Sequence, residues 1–205
     1  MTLLMGMFQI SAKLGFSDFY FVGMLLNSVL SVGMVLLSYY ICKRLFSVSE
    51  AMFCLILYAV YPPMYFMAAV FYTDHLTMIF PVLLFWLYLK LDKCEKTLKT
   101  GIYAGVMALV AVCGYLLKPT VLIVLIAIVI ALFLACKWKK IAFVGVSFAV
   151  VYLCVNFVFN GIIYDQHLNR ETAEQMNTPL ETWVLMGMNE NPGFSPDDTL
   201  FSRSF

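Results

Sequence analysis

Long apolar runs, separated by short polar or basic connections, dominate the first 160 residues of the chain. The runs hold about 16 to 25 residues, close to the roughly 20 that a helix needs to cross about 30 Å of hydrocarbon. They are too long for strands and lack period-two alternation. The pattern predicts six spanning helices, antiparallel to their neighbours, at residues 18–42, 49–70, 74–89, 100–117, 119–136 and 141–160.

The composition leads to the same fold class. The chain is 63% hydrophobic and 12% charged, whereas a soluble domain is nearer half apolar and a quarter charged. The 18 Phe and 12 Tyr suit lipid contact and interfacial belts. A net charge of +1 gives no electrostatic case for a nucleic-acid partner. We therefore expect an all-α, polytopic transmembrane helix bundle whose surroundings are membrane lipid.

Segments of different character flank the predicted spans. Residues 1–17 lack the pattern of a signal peptide and are predicted to form an interfacial helix. Residues 161–205 contain two Arg and seven acidic residues, and bury too little apolar surface to fold alone. We expect this tail either to pack against the outer membrane face or to be the start of a truncated domain.

The basic residues predict the orientation. Nine of the 13 fall in alternate connections, at Lys43, Arg44, Lys90, Lys93, Lys96, Lys99, Lys137, Lys139 and Lys140. Because basic residues favour the cytoplasmic side, that side is predicted to be cytoplasmic, with both termini outside the cell membrane. An external N-terminus requires a preceding span, so we expect a span and an external loop upstream of Met1.

Motifs of soluble enzymes are absent from the sequence. There is no P-loop, glycine-rich nucleotide motif, GxSxG or HExxH. The six Cys have neither zinc-site nor CxxC spacing, which favours reduced, buried thiols. His75 and His167 have no companions at ligand spacing, so a zinc site is not expected.

Asp74 and Lys118 are the two charged residues that the topology explains least well. Only 15 residues separate Asp74 from Lys90, about 22 Å of helix, so Asp74 is a candidate for a recessed functional carboxylate. The alternative is a helix cap, with Lys90 reaching to the interface. Lys118 lies on the side where basic residues are scarce, and either contacts a lipid phosphate or snorkels to the surface.

The tail offers weaker candidates. Trp183 begins an apolar stretch that extends to Asn189, and a turn-rich segment then leads to Asp197 and Asp198. Surface association and turn formation explain these residues without a ligand. The alternative assigns Trp183 and Asn189 to external-loop contacts, and the two Asp to a divalent cation.

The order of several short motifs resembles the C-type-fold membrane glycosyltransferases, in the branch of protein O-mannosyltransferases and aminoarabinose transferases. The similarity covers most of the chain. Four motifs lie in or next to the predicted spans: Asn27 in a span ending at Cys42-Lys43-Arg44-Leu45-Phe46, Pro62-Pro63, Tyr72-Thr73-Asp74, and Gly114-Tyr-Leu-Leu-Lys118-Pro119-Thr120. Two more lie in the tail, at Thr182–Asn189 and Gly193–Asp198.

The resemblance implies transfer of a sugar from a polyprenyl-phosphate donor to an extracytoplasmic acceptor. It assigns Asp74 and His75 to orienting substrate or a divalent cation, and Lys118 is inferred to contact the donor phosphate. The general base of the family would precede Met1, so no catalytic residue is assigned and the chain alone is expected to be inactive. Two alternatives stay open: a non-catalytic membrane fragment or assembly partner, and a lipid or polymer transporter component, which should show internal repeats and broken helices.

Overall fold

The computed structural model describes residues 11–13, 15–16, 18–70 and 73–158. The chain separates into two compact units, Met1–Leu153 and Cys154–Phe205, and the contacts given below lie within the first. The main described helices, numbered in chain order, are α1 (Phe19–Leu45), α2 (Val48–Val60), α3 (Pro62–Ala69), α4 (Thr73–Thr77), α5 (Ile79–Asp92), α6 (Thr97–Leu117), a 3-10 turn (Pro119–Val121), α7 (Leu122–Leu134) and α8 (Trp138–Val158).

The predicted all-α, polytopic class is confirmed, since the described residues contain no strand. Four stretches are long and apolar enough to cross a membrane, namely α1, Asp74–Asp92, α6 and α8. Val48–Val60 and Pro119–Leu134 are shorter apolar helices. Each of the six predicted runs therefore contains a helix. The interfacial helix predicted for residues 1–17 lies largely outside the described residues, and the tail 161–205 lies wholly outside them.

The structure corrects the predicted length of the third span. The helix continues past Leu89 to Asp92, which lies about 27 Å from Asp74 along the axis. The continuation is stable because basic side chains bind the exposed carbonyls of the last turn, which adds favourable charge at a helix C-terminus. The spacing between Asp74 and Lys90 is unchanged by this longer helix, so a recessed position of Asp74 stays a prediction.

The second predicted span is divided at Tyr61. Its backbone is extended between α2 and α3, and Pro62 then begins α3, a position where the missing proline N–H costs nothing. Backbone carbonyls at the end of α3 need partners, because lipid offers none. Asn27 of α1, which is fully buried, donates from Nδ2 to the carbonyls of Met67 at 2.9 Å and Val70 at 3.3 Å.

The core lies between α5, α6 and α7, while α1 packs against α2 to α5. Leu84 and Leu91 of α5, Met107 of α6 and Leu132 of α7 are fully buried there. Gly114 of α6 lets the 3-10 turn approach closely, since a Cβ at Gly114 would lie 2.7 Å from Cγ1 of Val121. This contact fixes where the residues after α6 are placed.

Several of the predicted cytoplasmic cations meet at one end of the bundle, called here the basic end. Arg44 of α1 donates from Nη2 to the Leu89 carbonyl at 3.3 Å. Lys137 forms an ion pair with the Asp92 carboxylate. Lys140 of α8 donates to the carbonyls of Leu91 at 2.9 Å and Asp92 at 2.7 Å. The basic connections thus share one side of the bundle, and the face of the membrane on which they lie stays a prediction.

Cysteine labelling tests the predicted orientation. In a Cys-free background, cysteines at Thr97, at the basic end, and at Ser195, outside the described residues, should react differently with an impermeant maleimide on intact cells. We expect only the Ser195 site to react, because the nine-to-four distribution of basic residues places Thr97 in the cytoplasm. Lysed cells, in which both sites should react, provide the control. Equal labelling on intact cells would contradict the orientation.

Candidate functional site

Asp74 and Lys118, which the sequence presents as separate features, form an ion pair. The Lys118 Nζ donates to Oδ1 of Asp74 across a separation of 44 residues in the chain. The Lys118 side chain is 32% exposed and that of Asp74 is 41% exposed. The pair therefore remains accessible to a ligand at the bundle surface. Whether the two residues serve a substrate stays a prediction.

The end of α6 explains the position of Lys118. Its backbone is extended, and its N–H donates to the Gly114 carbonyl at 2.8 Å. The Lys118 carbonyl in turn accepts from the N–H of Val121 at 3.2 Å, inside the 3-10 turn that Pro119 begins. These two bonds hold Lys118 at the junction between α6 and α7, from which its side chain reaches α4.

His75, the neighbour of Asp74, contacts the opposite side of the site. It is 6% exposed, and its Nε2 lies 2.8 Å from Oγ of Ser31 on α1. The Ser31 hydroxyl donates to the Asn27 carbonyl at 2.7 Å. Because a hydroxyl has one proton, the N–H at Nε2 of His75 must donate to Ser31. Consecutive residues of α4 thus connect α6 and α1. We call Ser31, Asp74, His75 and Lys118 the polar cluster.

Counting residues places the polar cluster at the end of the bundle opposite the basic end. The bond from Arg44 to Leu89 aligns α1 with α5. Ser31 is 13 residues from Arg44, and His75 is 14 residues from Leu89, so both lie about 20 Å away along the helices. Asp74 lies about 27 Å from Asp92, close to the roughly 30 Å thickness of the hydrocarbon. We therefore expect the cluster to lie near the edge of the hydrocarbon at that end of the bundle.

An apolar groove of about 320 Å³ lies between α1, α2 and α3, and we call it the α1–α3 groove. Its hydroxyl groups have internal partners: Ser28 donates to the Met24 carbonyl at 2.9 Å, and Tyr65 donates to the Ala59 carbonyl at 2.8 Å. Ser31 belongs to both the groove and the polar cluster. The polar cluster and the apolar groove thus meet at this serine.

The other predicted site residues and the predicted cation are not placed by the structure. Trp183, Asn189, Asp197 and Asp198 lie outside the described residues. Within the described ranges, no group of three or more His, Cys, Asp or Glu is arranged to hold a metal ion, and the Asp74 carboxylate is bound by Lys118. These residues do not form a divalent-cation site by themselves, so the cation role stays a prediction. All six cysteines are free thiols. Four are half-buried and two, Cys136 and Cys154, are exposed, so the predicted burial is wrong.

Sequence reasoning missed Ser31, and it did not anticipate the pairing of Asp92 with Lys137. A signal for the first was present, because Asn27 and Ser31 are four residues apart and share one face of an apolar helix. Two polar groups on one face of a spanning helix indicate an internal partner. The partner, His75, could not be inferred from the spacing.

The chain was compared with known families, proteins and structures. The conserved hypothetical integral membrane protein family matches residues 1–203. The chain belongs to this family. No curated protein and no solved structure matches it significantly. Family membership, together with the four long apolar helices, makes the chain a multi-pass integral membrane protein, as the composition predicted.

Proposed function

We propose that this membrane protein acts in the transfer of a sugar from a polyprenyl-phosphate donor to an acceptor on the extracytoplasmic side. The observation that carries the proposal is the pair of Asp74 and Lys118 at the end of the bundle opposite the basic end. A lipid-linked donor stays in the bilayer with its phosphate at headgroup level. A lysine at that depth is a suitable phosphate ligand.

In this proposal the donor phosphate replaces Asp74 as the partner of Lys118. Asp74 is then free to orient the acceptor or the sugar, while the hydrogen bond from His75 to Ser31 keeps α4 in place. The donor tail follows the α1–α3 groove, which Ser31 connects to the polar cluster. The general base is proposed to come from outside the described residues.

Deleting the gene in the source organism tests the proposal. Membranes of the deletion strain should transfer less label from a radiolabelled polyprenyl-phosphate sugar to delipidated product, and the wild-type gene should restore transfer. Lys118→Ala should restore little, whereas Lys139→Ala, at an exposed lysine of the basic end, should restore it fully. Unchanged transfer after deletion would contradict the proposal.

A non-catalytic membrane partner is the second candidate, favoured by the fact that Asp74 and Lys118 already neutralise each other. The exchange variant Asp74→Lys/Lys118→Asp separates the two candidates. A purely structural pair tolerates the exchange and keeps function, since the attraction is preserved. A phosphate site does not tolerate it, because the cation has moved to another helix. A transporter component would instead move the donor between leaflets without breaking its sugar–phosphate bond.

A further inference from the structure

A second groove, nearer the basic end, has a lining suited to one lipid chain. It lies between α1, α2, α5 and α7 and has a volume of about 440 Å³. Cys42 of α1, Cys54 of α2, and Val82 and Phe85 of α5 contribute to its walls. Its surface is almost wholly apolar, so hydrocarbon is the occupant that its walls can accept. We call it the α1–α5 groove.

One wall of the groove adjoins two cations of the basic end. Cys42 lines it, and Lys43 and Arg44 follow directly in the chain. From the level of Arg44, the wall residues of α1 extend inward to Ser38, six residues or about 9 Å along the helix. An acyl chain entering beside Cys42 therefore brings its headgroup to Lys43 and Arg44.

Charge at the basic end favours an anionic headgroup. Nine basic residues and three acidic residues, Glu50, Asp92 and Glu95, lie in its connections, leaving an excess of six positive charges. Ser47 donates to the Glu50 carboxylate, and Lys137 pairs with Asp92. Arg44 donates from Nη2 to the Leu89 carbonyl at 3.3 Å. Because a guanidinium has five N–H donors in all, this bond does not prevent Arg44 from also binding a phosphate. Lys43 lies 6.0 Å from the centre of the Tyr39 ring.

We propose that the α1–α5 groove and Lys43–Arg44 form a binding site for an anionic phospholipid of the leaflet at the basic end. One acyl chain occupies the groove, and the phosphate contacts Lys43 and Arg44. The site is separate from the polar cluster, which lies at the other end of the bundle. It requires only that the chain is an integral membrane protein, so it does not depend on the proposed transferase function.

Lipid photolabelling of the full chain tests this site. The protein is reconstituted in unlabelled phosphatidylcholine with a trace of one of two photoreactive probes. The probes are phosphatidylglycerol and phosphatidylcholine, each with a diazirine near the middle of one acyl chain. We expect the phosphatidylglycerol probe to label the wall residues of α1 and α2 at least about fivefold more than the matched phosphatidylcholine probe, since each nearby cation contributes roughly that factor. Equal labelling by the two probes would overturn the proposal.

Three variants separate the headgroup contact from the groove. Lys43→Gln should lower the preference for phosphatidylglycerol by about fivefold, with the groove left intact. Cys54→Phe should fill the groove and lower labelling by both probes, whereas Ile56→Phe, at an exposed position of α2 outside the groove, should leave labelling unchanged. Normal labelling in both Lys43→Gln and Cys54→Phe would overturn the site. So would full competition by inorganic phosphate, which has no acyl chain.

Discussion

Replacing Gly114 with alanine is expected to lower the free energy of unfolding by roughly 1–3 kcal/mol, the usual cost of overpacking a core. The new Cβ would lie 2.7 Å from Cγ1 of Val121 and 3.1 Å from Cγ of Phe80. Val121 is buried and β-branched, so its side chain has few rotamers to move into. The 3-10 turn must then move away from α6, and Lys118 moves with it. Thermal unfolding in detergent measures the loss.

Gly105→Ala is the matched control on the same helix. A Cβ at Gly105 meets nothing within 4 Å, and alanine is better than glycine inside a helix by about 1 kcal/mol. We therefore expect equal or higher stability for this variant. An equal loss in both variants would show that the close approach at Gly114 is not what limits substitution there.

Lys118→Ala is expected to weaken binding of a polyprenyl phosphate by roughly 10- to 150-fold, because it removes a charge-assisted contact worth about 1.5–3 kcal/mol. Lys118→Arg should recover only part of this affinity. The planar guanidinium of arginine does not reproduce the compact ammonium of lysine, which already fits the Asp74 carboxylate in this site. Titration of the purified variants with the lipid measures both effects.

Asp74→Asn should have opposite effects on binding and on transfer. The carboxylate competes with phosphate for Lys118, and a partly exposed pair contributes about 0.2–1 kcal/mol, so its removal should tighten phosphate binding by up to about fivefold. Transfer should nevertheless fall at unchanged expression, because the orienting charge is lost. If transfer by Asp74→Asn and binding by Lys118→Ala both stay near wild type, the pair is structural.

The fold class could be predicted because bilayer thickness sets the length of an apolar run, and the runs here match it. The break within the second predicted run was also readable, since Pro62 lacks the N–H that would continue the helix ending at Val60. The side chain that binds the backbone carbonyls after this break could not be predicted from the sequence. It comes from Asn27, on a different helix and 40 residues from Met67, and hydropathy does not report which helices are neighbours.

The candidate site was predictable residue by residue but not as a pair. Asp74 and Lys118 stood out because each is a charge in an apolar setting. Their contact depends on the backbone at the end of α6, where Gly114 lets the 3-10 turn approach closely. The first and third predicted spans each ended three residues too early, at 42 and 89 instead of Leu45 and Asp92. At the end of α5, lysine and arginine side chains bind the terminal carbonyls, and hydropathy counts these side chains only as polar.

Lys118 is proposed to bind a lipid phosphate at the end of the bundle opposite the basic end. Native mass spectrometry of the purified protein with a polyprenyl phosphate tests this contact, by comparison of wild type, Lys118→Ala and the basic-end control Lys139→Ala. We expect saturable binding to wild type and to Lys139→Ala, and binding at least about tenfold weaker for Lys118→Ala. Equal binding by all three proteins would contradict it.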